Sequence, residues 1–129
     1  MELAIIIVIL HFFFDWFQPR WMQNSKHGSV KILALHTFIA TLPLYPLALI
    51  VAGGYTAAFV YASMLIYCSH YVTDYCSSNI VFSLKHPLTD DDVLDMAVVK
   101  DNEYLIIITT ALDQMVHLVT YFLIFNYLL

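Results

Sequence analysis

The chain has 129 residues, of which 61% are hydrophobic, 16% aromatic and only 12% charged, and its mean hydropathy is +0.77. Soluble domains carry about 25% charged residues. A chain this short buries only about two-thirds of its surface, so a large core cannot absorb the deficit. An ordinary water-soluble enzyme and a disordered chain are excluded, and a net charge of −5 with five Lys plus Arg excludes a nucleic-acid binder. Six histidines, more than the Lys and Arg together, call for an explanation.

A membrane-spanning helix takes roughly 20 apolar residues, and the apolar runs give about four. The first predicts a helix over 3–18, ending at Gln18-Pro19-Arg20. It has neither a basic leader nor a small-residue cleavage site, so it reads as a retained helix. The second covers 29–52, and Pro43 and Pro46 inside it free the carbonyls of Ile39 and Leu42, marking a packing kink or an early helix end. Gly53-Gly54 makes a tight turn into a third helix over 55–77, where Cys68 and Cys76 read as small buried thiols. Thr89 and the acids Asp90, Asp91 and Asp92 open a short loop helix over 90–99. The last helix covers 103–128. The expected fold is a single all-α domain over 1–129, an integral membrane bundle of about four transmembrane helices.

Basic residues set its orientation. Arg20, Lys26 and Lys31 surround the first loop, and Lys85 and Lys100 lie in the third. By the positive-inside rule both loops are cytoplasmic and both termini face the other side.

All but three of the charged residues fall in loops or at an end. The exceptions are Asp15, Asp74 and Asp113, each inside an apolar run. An ionised Asp at a helix centre costs about 2.5–3.5 kcal/mol, so three cost on the order of 8–10 kcal/mol. No Lys or Arg lies within the spans to offset this, which leaves protonation, histidine or a metal cation. The spacing favours the metal. His11 and Asp15, His70 and Asp74, and Asp113 and His117 are each four residues apart, hence on one helix face. His36 adds a fourth imidazole, and Gln18 and Gln114 continue the polar stripes as supporting residues.

Counted from the helix ends, all seven fall in one layer in the cytoplasmic half of the bilayer, Asp113 about 14 Å along its helix. Seven candidates exceed the four ligands of a tetrahedral zinc. Two divalent ions against three carboxylates and one hydroxide would be neutral, so a dinuclear site is expected. Zinc comes first, with manganese or iron as alternatives. Interhelical hydrogen bonding and an Asp/His proton relay are the competing accounts of the same residues.

These residues resemble a family. His11-x3-Asp15-x2-Gln18, Lys26, His36, His70-Tyr-Val-Thr-Asp74 and Asp113-Gln114-x2-His117 look like the domain-of-unknown-function 3307 family, small polytopic proteins of bacteria and their phages. The resemblance spans the chain and implies a multi-pass protein of the bacterial inner membrane; it supports the site and not a reaction. A looser similarity is to membrane-bound metal-dependent hydrolases. One departure stands out: Cys76-Ser77-Ser78-Asn79 replaces basic residues expected after the third-helix motif.

The expected function is an intramembrane metal-dependent hydrolase acting on a lipid or lipid-like ester or phosphoester near the cytoplasmic leaflet. Asp113 is the candidate general base, and Lys26 and Arg20, with His27 beside them, are candidate contacts for a substrate anion or else plain positive-inside anchors. The alternative is a non-enzyme: a metal- or proton-coupled transporter, or a metal-stapled phage factor that binds a host membrane component. Expected partners are the lipid bilayer, a lipid-linked substrate, and a second copy or a host membrane protein.

Overall fold

The computed structural model describes residues 2–19, 22, 29–85 and 102–129. Among them are five helices and no strand: α1 (Glu2–Trp16), α2 (Val30–Thr41), α3 (Leu44–Val51), α4 (Ala57–Lys85) and α5 (Glu103–Tyr127). The expected loop helix over 90–99, and Arg20 and Lys26, lie outside the described residues.

Local chemistry sets the ends. Helix α1 stops three residues before Pro19, whose ring disfavours helical geometry in the preceding residue. Ser29 caps α2, its hydroxyl accepting from the Ile32 N–H at 3.5 Å. The second predicted helix is two: α2 and α3 meet at Leu42-Pro43 with a bend of 48°. Pro43 and Pro46 have no N–H to give back to the preceding turn, and in the first turn of α3 none is needed. Gly53 and Gly54 have φ of 70° and 125°, backbone that a side chain would strain. Their N–H groups bond back to Ile50 and Leu49 carbonyls at 3.2 and 3.0 Å and close α3. Helix α4 then runs to Lys85, two turns beyond the predicted end at 77. Ser77, Ser78 and Asn79 are compatible with a helix whose inner face Ser78 and Val81 continue.

Packing forms a ring. Helix α4 packs on α2, α3 and α5, and α1 closes the circle against α2, α3 and α5. Each helix buries a narrow stripe: Ile7 and His11 on α1, Leu33, His36, Thr37, Ala40 and Thr41 on α2, and Asp113, His117 and Tyr121 on α5. Helix α4 buries Ala62, Ile66, His70, Asp74 and Ser78, every fourth residue. On the Gly53 side of the polar layer, Ile7, Leu44, Ala48, Ala62, Ile66, Ile124 and Phe125 pack around Tyr121 into an apolar floor.

The outer faces are apolar instead, with Ile9, Ile50, Met64 and Ile107 all at least 60% exposed. Polar side chains inside and aliphatic ones outside suit lipid better than water. Helix α5 is long and apolar enough to cross a membrane, and the bent α2–α3 pair passes the same test if it counts as one span. Helix α1 has only 15 residues, and α4 carries too many polar groups to qualify on composition. Cys68 and Cys76 are exposed, contrary to the buried thiols expected, because both fall off the stripe that α4 turns inward.

Candidate metal centre

The four buried stripes bring His11, Asp15, His36, His70, Asp74, Asp113 and His117 into one cluster. Asp74 is its hub. Its carboxylate lies 2.7 Å from His36 Nε2, 3.4 Å from His70 Nε2 and 3.7 Å from His117 Nε2. Asp15 Oδ1 is 3.2 Å from the same His36 nitrogen. All of these are buried except Asp15, which is partly exposed. Two overlapping groups, Asp15 with His36 and His70, and His70 with Asp74 and His117, place one ligand atom of each residue within 4.8 Å of the others.

Each of the three imidazoles that aims Nε2 at Asp74 turns Nδ1 toward an outer polar partner. His36 Nδ1 is 2.7 Å from Gln18 Oε1, His70 Nδ1 is 2.5 Å from the Tyr121 hydroxyl, and His117 Nδ1 is 3.8 Å from Asp113 Oδ2. The contacts of His36 and His70 are of hydrogen-bond length and hold the rings as metal-binding histidines are held, whereas the His117 separation is too long for a hydrogen bond. His117 Nε2 also lies 3.4 Å from the His70 carbonyl, and the two rings stack at 4.1 Å.

The tautomer of His36 follows from Gln18. The Gln18 amide nitrogen donates to the Phe14 and His36 carbonyls at 3.1 and 3.2 Å. Carbonyls only accept, so Oε1 must face His36 Nδ1, which therefore donates. In a neutral ring Nε2 then carries a lone pair, directed at two carboxylate oxygens. Such a contact repels unless a proton or a cation lies between them. Two carboxylates, Asp15 and Asp74, and the inward nitrogens of His36, His70 and His117 are the residue types that suit a borderline divalent ion.

His11 and Asp113 have a different place. Gln114 accepts from His11 Nε2 at 3.0 Å and donates to Asp15 Oδ2 at 3.1 Å and Asp113 Oδ2 at 3.2 Å. One amide thus ties α1 to α5 and orients an aspartate on each. Ser77 donates to Asp113 Oδ1 at 2.7 Å, so both Asp113 oxygens accept from neutral donors. Neither residue belongs to the two groups that converge on a common point. Asp15, His36, His70, Asp74 and His117 could hold metal; His11 and Asp113 border it.

One participant, Ser77, is not legible from sequence, and another, Tyr121, is legible only as a member of a polar stripe. Ser77 falls one turn from Asp74 in a serine pair with no distinguishing spacing. Tyr121 extends the α5 polar stripe one turn past His117, a signal that was visible, but its partner on α4 was not. Lys31 and Lys85, the described lysines, are exposed near helix ends.

A helical chain with a polar, histidine- and aspartate-lined interior, an apolar exterior and a candidate membrane helix is the class that fold and cluster define. The chain belongs to the family described as protein of unknown function (DUF3307), whose model matches residues 3–129. No curated protein and no solved structure matches the chain. The looser similarity to membrane-bound metal-dependent hydrolases has no counterpart among these findings.

Proposed function

We propose that the protein is a multi-pass helical bundle of a bacterial inner membrane whose buried cluster binds divalent transition metal, zinc first, for hydrolysis of a lipid or lipid-like ester or phosphoester. The observation that carries the metal reading is the convergence of His36 Nε2, Asp74 and Asp15 within 2.7 and 3.2 Å, with Gln18 engaging the opposite ring nitrogen. When bound, a divalent ion supplies water activation near neutral pH and polarises a carbonyl or phosphoryl oxygen.

This chain's own residues do the rest. Asp113, kept in place by Ser77 and Gln114, is the candidate base for a proton released beside the cluster. An apolar groove of about 240 Å³, lined by Ala4, Ile7, Val8, Leu118, Val119 and Phe122, opens between α1 and α5 one turn from His11 and His117. It supports a substrate with an aliphatic part. The apolar floor beneath the cluster speaks against an ion path through the bundle and so against the transporter reading.

The test is metal analysis of the purified protein in detergent, followed by product release from phospholipid vesicles. Bound zinc, manganese or iron, with metal-dependent release that Asp113→Asn abolishes while keeping metal and fold, is the expected result. A protein without transition metal overturns the reading. Metal without any release from ester or phosphoester lipids moves the protein to the non-enzymatic, metal-stapled class.

A further inference from the structure

We infer that the centre is built for two ions in unequal positions bridged by Asp74, an inference that rests on the metal reading above and gives the expected ion pair its ligands and order of loading. The two convergent groups share His70, and Asp74 of the second also lies 2.7 Å from His36 of the first. An imidazole nitrogen has one lone pair and can serve one ion. A carboxylate has two oxygens and can serve two. Asp74 Oδ2 faces His36 and His70, whereas Oδ1 faces His117. The bridging residue is therefore Asp74, and His70 belongs to one position only.

The first position takes Asp15 Oδ1, His36 Nε2 and Asp74 Oδ2, with His70 Nε2 as the fourth donor. The 3.2 and 3.4 Å separations match the edges of a tetrahedral shell with bonds of about 2.0–2.1 Å, and the 2.7 Å between His36 and Asp74 would lengthen on binding. Two carboxylates neutralise one divalent ion there. Gln18 holds His36, and Gln114 holds the second oxygen of Asp15. This position is the more fully held of the two, although Asp15 is partly exposed.

The second position has Asp74 Oδ1 and His117 Nε2, 3.7 Å apart, with Asp113 behind the imidazole. Fewer protein donors leave coordination sites open, as a reactive position requires. The first ion binds tightly and the second exchanges.

The experiment is a titration of metal-depleted full-length protein with Zn²⁺ alone, read by bound metal per chain, and with Mn²⁺, read by electron paramagnetic resonance. The expected result is two ions per chain, the first held at least tenfold tighter, and an exchange-coupled Mn²⁺ signal. His117→Gln retains one tight ion and loses the coupled signal. Asp15→Asn weakens the first ion at least tenfold. Circular dichroism confirms that each variant keeps wild-type helix content, and a variant that does not is replaced by His117→Asn or Asp15→Ser. One ion at saturation, or two ions with no coupling, overturns the pair while leaving the metal reading intact. No ion at all removes the metal reading itself.

Discussion

Gln18→Met offers a demanding test of the reasoning about His36. Methionine keeps the length and much of the volume of glutamine but has no N–H and only a weak acceptor. The substitution removes the 2.7 Å bond from His36 Nδ1 and the two donations to the Phe14 and His36 carbonyls. Gln18 is 6% exposed, so water does not readily take its place. A buried His36 N–H left without its acceptor costs about 1–3 kcal/mol. Loss of an outer partner of a metal-binding histidine lowers affinity roughly 10–100-fold, or about 1.4–2.7 kcal/mol. The assay is competition for Zn²⁺ against a chelator, with ¹⁵N NMR of the His36 ring to follow its tautomer. A tenfold or greater loss of affinity, with helix content unchanged, is expected. Gln18→Glu restores the acceptor and should recover part of it. Affinity within twofold of wild type in a folded Gln18→Met protein would refute the assignment of Gln18 as the residue that orients His36.

Other consequences can be measured. Asp113→Asn keeps the shape of the side chain but removes the proposed base, so the proposed lipid hydrolysis should fall about 10²–10⁴-fold with metal content unchanged. Metal at about one hundred times its dissociation constant should stabilise the fold by about 2.7 kcal/mol, seen as a higher midpoint of thermal unfolding that a chelator reverses. Leu44 is fully buried in the apolar floor, and Leu44→Ala should cost about 2–5 kcal/mol in a denaturant titration. Gly54→Ala should cost about 1–3 kcal/mol through backbone strain alone, since φ is 125° and a Cβ there meets nothing within 4 Å.

Much of the site could be read without a structure because its parts recur at helical spacing. His11 with Asp15, His70 with Asp74, and Asp113 with His117 share faces for reasons of helix geometry, and their common depth follows from counting residues. The helix break at Pro43 was legible for a similar reason, since proline acts on its own neighbours. What could not be read is what depends on neighbours in space. Spacing alone gave Asp74 and Asp113 equal standing, yet α4 puts the first among three imidazoles and α5 gives the second two neutral donors. Nothing in Ser77 or Tyr121 announces Asp113 or His70 as partners. The continuation of α4 past residue 77 is not legible from hydropathy, because Ser78, Asn79 and Ser83 break the apolar run, although Ser78 keeps the fourfold register of the inner face.

The floor of Leu44, Ala48, Ala62, Ile66, Ile124 and Phe125 under the histidines has a thermodynamic consequence. If the proposed site takes an ion, this packing obliges the ion to enter and leave on the side of the polar layer opposite the floor. Its occupancy would then follow the free metal activity on that one side and take no work from a gradient across the bundle.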